Sequence, residues 1–215
     1  MPVLSQTDVK IALDPDSMGL PSSVRQASGE AVAVMAEQTP VVPSPPQMPE
    51  LPAPYPPPVA SCPCCDSTAC TLLGLYAGPC SELTGVLQYL YDAMVFQKEC
   101  PEASAIFDAL ALDEMKHLRL LGELLLSLGV CPRYTASPGW WNASPSVLSY
   151  ETCLERAVCR AAEGETADAA RYRRLAESLC DEGIAALFLR LAEDEEMHLE
   201  MLCGFAREKG WVQGA

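Results

Sequence analysis

Residues 107–121 read FDALALDEMKHLRLL, and residues 188–202 read FLRLAEDEEMHLEML. Both follow the pattern F-x-x-L-A-x-D-E-x-x-H-L-x-x-L, displaced by 81 residues. In the first copy Leu110, Ala111, Leu118 and Leu121 stand four and three residues before Glu114 and four and seven after it, the apolar stripe of a core-facing helix. Glu114 and His117 are three residues apart and so project from one helix face about a turn from each other. Glu195 and His198 have the same setting in the second copy. A repeat of this size implies two copies of one helical hairpin, so the preceding helices should match as well. Glu82 stands 32 residues before Glu114, and Glu163 stands 32 before Glu195.

Around these copies the chain divides into four helical segments. The first runs from about Thr71 to Glu99, interrupted at Gly78-Pro79, where the proline ring should kink or restart the helix. The second opens at Pro101 and closes at Gly129, a favourable start and stop. The third starts near Ser149 and reaches about Leu179, and the fourth runs from Asp181 to Lys209 with Gly210 as terminator. Val130 to Leu148 is too long for a tight turn, whereas the other joins are short. Two short-linked pairs joined by one long crossover predict an all-α, ferritin-like four-helix bundle over residues 69–215. Fourteen of the 19 prolines fall in residues 1–68, so this arm is expected to be disordered, with 41–59 an extended, polyproline-like tether.

Four interior carboxylates cannot stand uncompensated in an apolar core, because each costs several kcal/mol and they repel one another. Two divalent cations remove the difficulty: Glu82, Glu114, Glu163 and Glu195 bring −4 against +4, and neutral His117 and His198 add a nitrogen each. Carboxylate oxygen with one imidazole per metal suits iron or manganese and does not choose between them. Two Glu from one pair of helices and two Glu-x-x-His from the other form the ligand set of carboxylate-bridged dimetal bundles. Tyr89, seven residues after Glu82, shares its face and suits either a ligand contact, an electron relay or plain core packing. Tyr91 and Tyr172, nine residues after Glu82 and Glu163, should point away.

With these residues the chain resembles the ferritin-like superfamily, closest to its rubrerythrin and manganese-catalase-like branch. The likeness covers about residues 70–210 and includes YAGPCSELTGVLQYLY and EMKHLRLLGELLLSLG. It implies metal-ligand roles for Glu82, Glu114, His117, Glu163, Glu195 and His198, with Glu114 and Glu195 as bridges. It also implies that Asp113 accepts from His198 and Asp194 from His117, fixing each ring so that its free nitrogen faces the metal. Two features depart from rubrerythrins proper. Those carry two separated C-x-x-C pairs, whereas this chain has one such spacing, Cys62 to Cys65. They also place an extra Glu three residues after a third-helix ligand, where this chain, counted from Glu163, has Thr166.

Composition bounds the remaining functions. No apolar run reaches the roughly 18–20 residues of a membrane helix, and the start lacks the basic and apolar regions of a signal peptide. With 29 acidic against 14 basic residues the net charge is −15, which argues against a nucleic-acid partner. Eleven cysteines without an export signal are expected as reduced thiols in the cytoplasm. Trp140 and Trp141, in the crossover, suit a bundle cap or a subunit contact. The expected function is a dimetal oxidoreductase acting on peroxide or dioxygen, as a homodimer or higher homo-oligomer, with an electron donor the sequence does not name. Ferroxidase chemistry with iron storage, and a non-catalytic coat or shell protein, are the alternatives.

Overall fold

Proline has no amide to give a helix, and Pro79 ends one: α1 (Asp66–Ala77) stops there and α2 (Glu82–Phe96) restarts beyond it. The computed structural model describes residues 54–60, 66–134 and 147–212. Among these, every regular element is a helix, and the series continues with α3 (Pro101–Ser127), α4 (Leu154–Ser178) and α5 (Glu182–Glu208). The break between α1 and α2 is built from local bonds. Thr84 Oγ1 donates to Gly78 O at 2.9 Å, and Ser81 Oγ accepts the Thr84 amide at 3.3 Å as an N-cap. A side chain at Gly78 would stand 2.3 Å from Gly74 O, so only glycine fits the turn.

The long helices pair as two antiparallel hairpins, α2 with α3 and α4 with α5, which meet across α3 and α5. Both hairpins end on glycine at φ 74°, Gly129 after α3 and Gly210 after α5. At each, the following amide returns to a helix carbonyl, Val130 to Leu125 at 2.9 Å and Trp211 to Ala206 at 3.0 Å. The third helix begins later than its sequence suggests. The Glu151 carboxylate accepts the amides of Thr152 and Cys153 at 2.8 and 2.9 Å and binds Arg156, holding this stretch out of the helix until Leu154. The Gln88 side-chain amide then clamps the chain end of the crossover, donating to Ser149 O at 2.9 Å and accepting its amide at 2.7 Å. Behind it, buried Asp92 takes Arg160 at 2.6 Å; burial raises the carboxyl even so.

Two apolar clusters fill the bundle. One gathers Phe96, Phe107, Leu110, Leu202 and Phe205, the other Leu121, Leu124, Leu125, Leu187, Phe188 and Leu191. Each such fully buried side chain contributes roughly 1.5–3 kcal/mol. Between the clusters, along both α3 and α5, lies a layer of buried polar residues.

Part of the proline-rich arm belongs to this structure. Residues 54–60 lie along the bundle, with Tyr55 and Ala60 packed against the second cluster, and helix begins at Asp66, ahead of the expected boundary. Residues 1–53 and 61–65, with Cys62 and Cys65, and also Trp140 and Trp141, lie outside the described residues. All the cysteines among the described residues are free thiols, exposed at Cys70, Cys80, Cys131 and Cys180 and half-buried elsewhere. No described helix is long and apolar enough to cross a membrane.

Replacing Gly129 by Ala tests the left-handed terminator of α3. No atom crowds the new methyl, so the cost is backbone strain alone, about 1 kcal/mol, and thermal melting should fall by about 2–4 °C.

Candidate metal centre

Each ligand-type side chain owes its inward aim to its helix. Glu82 is the first residue of α2, swung inward by the Ser81 cap that follows the proline break. One turn on, Gly85 leaves the space that Glu114 fills: a side chain there would stand 3.2 Å from Glu114 Cδ and Oε2. From the middle of α3 come Asp113, Glu114 and His117, and from the middle of α5 come Asp194, Glu195 and His198. All seven of these carboxylates and imidazoles, Glu82 included, are buried, the histidines completely.

The third helix supplies Glu165, and Glu163 is a correction. Glu163 lies on the exposed face of α4, while Glu165 is 2% exposed. The inward stripe of α4 is Ala157, Val158, Ala161, Glu165, Ala169, Tyr172 and Ala176, spaced by three and four; a residue two positions earlier faces the opposite way. The second hairpin is two residues tighter, with Glu165 standing 30 residues before Glu195 where Glu82 stands 32 before Glu114. Tyr172 is corrected with it. Seven residues after Glu165 it shares the inward face, as Tyr89 does after Glu82. The sequence carried this signal as Glu-x₆-Tyr in both helices, whereas Tyr91 packs edge-on against Tyr150 away from the site. Counted from Glu165, the position three residues on is Asp168 rather than Thr166, whose hydroxyl simply returns to Ala162 O at 2.8 Å. Burial, opposed by Arg171 and reinforced by Glu82 and Glu195, lifts the Asp168 carboxyl to about 7.

The assembled groups form two overlapping sets, Glu82, Glu114, His117 and Glu195, and Glu114, Glu165, Glu195 and His198. Within each set, one donor atom per residue lies within 4.8 Å of all the others. Glu114 and Glu195 belong to both. Each histidine points Nδ1 inward: His117 Nδ1 is 3.3 Å from Glu195 Oε1 and 3.6 Å from Glu82 Oε2, and His198 Nδ1 is 3.0 Å from Glu195 Oε2 and 3.3 Å from Glu165 Oε2. The outer nitrogens are held crosswise, His198 Nε2 by Asp113 at 3.0 Å and His117 Nε2 by Asp194 at 3.3 Å. The outer carboxylates are held crosswise too. Tyr89 donates to Glu165 Oε1 and Tyr172 to Glu82 Oε1, leaving the second oxygen of each glutamate turned toward the centre.

In the absence of a cation, protons balance this layer. Burial would lower His117 and His198, but the surrounding carboxylates hold both well above the usual imidazole range. Burial and the neighbouring carboxylates raise Glu114, and burial lifts Glu165 to about 8 against the pull of His198. Glu195, despite its burial, is held well below the usual range by the two imidazoles that flank it. Asp113 and Asp194 are likewise lowered against their burial, mainly by their histidines and by Lys116 and Arg190. Two buried atoms at the centre, His117 Nδ1 and Glu195 Oε2, find no hydrogen-bond partner. Once its proton leaves, that nitrogen joins the surrounding carboxylate oxygens as the donor set a hard divalent cation requires.

A helical bundle of two crosswise hairpins around a buried Glu/His layer places the protein in the ferritin-like class. Within it, the chain belongs to the rubrerythrin family, whose profile matches residues 77–206. Its fold is similar to two crystal structures of KatB, a manganese catalase from Anabaena. One, from strain PCC7120, aligns over 76% of this chain and 78% of that chain at 19% identity with a TM-score of 0.60. The other, described as wild type, aligns over 79% and 84% at 19% identity with a TM-score of 0.61. No curated protein sequence matches at a significant level.

Exchanging Glu165 for Gln should loosen divalent-metal uptake beyond the roughly 10–100-fold that outer-sphere partners command. Glu163→Gln should leave it unchanged, and titration with Mn²⁺ compares the two. A pH dependence also follows. Glu114, Glu165 and both histidines bind protons more tightly in the fold than at their ordinary values of 4.5 and 6.5, so their contribution to the metal-free fold is full below those values and is lost as pH rises, through about 8 for Glu165. The lowered groups, Glu195, Asp113 and Asp194, lose theirs only in acid. Chelated protein should therefore melt lower at pH 8.5 than at pH 6, and Mn²⁺ should raise the melting temperature more at pH 8.5.

Proposed function

We propose that this protein is a dimetal oxidoreductase that disproportionates hydrogen peroxide, with iron or manganese held by Glu82, Glu114, His117, Glu165, Glu195 and His198. The observation that carries this reading is the pair of overlapping buried ligand sets sharing Glu114 and Glu195. A pair of iron or manganese ions at such a site supplies Lewis acidity and reversible two-electron exchange with peroxide. Six side chains do not saturate two octahedral ions, so positions remain for a small substrate.

The chain's own residues do the rest. Glu114 and Glu195 each lie within reach of both positions and keep them together. Asp113 and Asp194 fix the imidazole rings through Nε2, so that Nδ1 is the free donor in both. Tyr89 and Tyr172 restrain Glu165 and Glu82 through one oxygen apiece. Both phenols titrate well above their usual range, chiefly through burial, and so remain O–H donors beside the site. The apolar clusters on either side keep bulk water from the layer. Peroxide suits these features because its disproportionation, two peroxides giving two waters and one dioxygen, needs no external electron donor. The likeness to a manganese catalase fold supports the same choice.

Protein loaded anaerobically with Mn²⁺ or Fe²⁺ should evolve dioxygen from peroxide in an oxygen-electrode assay, and Glu114→Ala should abolish the evolution. Stoichiometric loading with no consumption of peroxide would overturn the assignment.

A further inference from the structure

The two histidine–aspartate pairs are related by the repeat, but their surroundings differ. Asp113 bonds His198 at 3.0 Å, stands 3.9 Å from His117 Nε2 and is also met by Lys116, a mostly exposed side chain. Asp194 is enclosed by two groups that its counterpart lacks. Arg190 pairs with Oδ1, and the phenol of Tyr55 donates to Oδ2 at 2.7 Å. That same Oδ2 is the atom facing His117 Nε2 at the longer distance of 3.3 Å. The Tyr55 ring stands edge-on to His117 with centroids 6.5 Å apart, and the Arg190 guanidinium lies 4.4 Å from its centre.

Tyr55 is held there by the Pro-rich stretch 54–60. Ala60 N donates to Ser127 Oγ at 3.3 Å near the end of α3, and Val59 O lies against Gly183 at the start of α5, 3.2 Å from where a side chain would begin. Prolines at 54, 56, 57 and 58 pre-extend this segment, so it loses little conformational freedom on docking.

We propose that Tyr55 is a positioning residue for the dimetal site, acting through Asp194 on His117 and making the two metal positions unequal. The inference rests on the dimetal reading above. A carboxylate oxygen that accepts from a phenol has less electron density for an imidazole N–H, and an imidazole less strongly supported at Nε2 is a poorer donor at Nδ1. The position served by His198, whose Asp113 oxygen is not shared with a phenol, is then the tighter of the two.

Cobalt(II) is a suitable probe, because its d–d absorption reports each position as it fills. The full chain should titrate in two unequal steps. In Tyr55→Phe, which keeps the ring over Arg190 and removes only the hydroxyl, the weaker step should tighten about tenfold and the steps converge. In Asp194→Asn the same step should loosen, with helical circular dichroism unchanged in both variants. Two equal steps in the wild type, or a weaker step that Tyr55→Phe leaves unchanged or loosens, would overturn the role of Tyr55 while leaving the dimetal reading intact. A wild-type chain that takes up no cobalt would overturn both.

Discussion

The whole bundle is organised around charge that water does not reach. Four glutamates and two histidines occupy one layer, each nearly or wholly buried, between two clusters of Leu and Phe. A low-dielectric interior tolerates such a group only if opposite charge stays within a few ångströms and each polar atom has a partner. The helix registers, the glycine beside Glu114, the tyrosines and the outer aspartates can all be read as answers to that one demand. Where protons supply the balance the fold is satisfied only partly, as His117 Nδ1 and Glu195 Oε2 show.

The supporting bonds are distributed in a consistent way. Tyr89 of the first hairpin holds Glu165 of the second, and Tyr172 of the second holds Glu82 of the first. Asp113 and Asp194 exchange histidines in the same manner. The repeat that the sequence displays is therefore a structural two-fold in the site, broken chiefly at its rim, where Tyr55 and Arg190 attend only one of the aspartates.

The bundle and five of its six inward carboxylate and imidazole groups are legible in the sequence: the fifteen-residue pattern shared by α3 and α5 embeds four of them in apolar stripes, and the position of Glu82 on the preceding helix adds the fifth. The sixth is not, because the 32-residue spacing of the first hairpin is 30 in the second. Loops and helix starts absorb small length differences that the ligand geometry does not, so Glu165 and Tyr172 sit two residues from the extrapolated register. The apolar phase of α4, set by Ala157, Ala161 and Ala169, identifies the inward face, but small alanines mark it weakly. The place of Tyr55 was hidden for a different reason. A proline-rich stretch has no periodicity, and its docking depends on Ser127, Gly183 and Asp194, residues far along the chain. The late start of α4 arises from Glu151 folding back on its own backbone, a local competition that helix patterning does not see.

The crosswise bonding has a consequence for how the molecule comes together. A hairpin formed alone would lack the acceptor of its buried tyrosine and the histidine partner of its aspartate, which the other half supplies. Neither half is a self-sufficient nucleus, so partly assembled species are penalised and the halves are driven to consolidate in a single concerted transition.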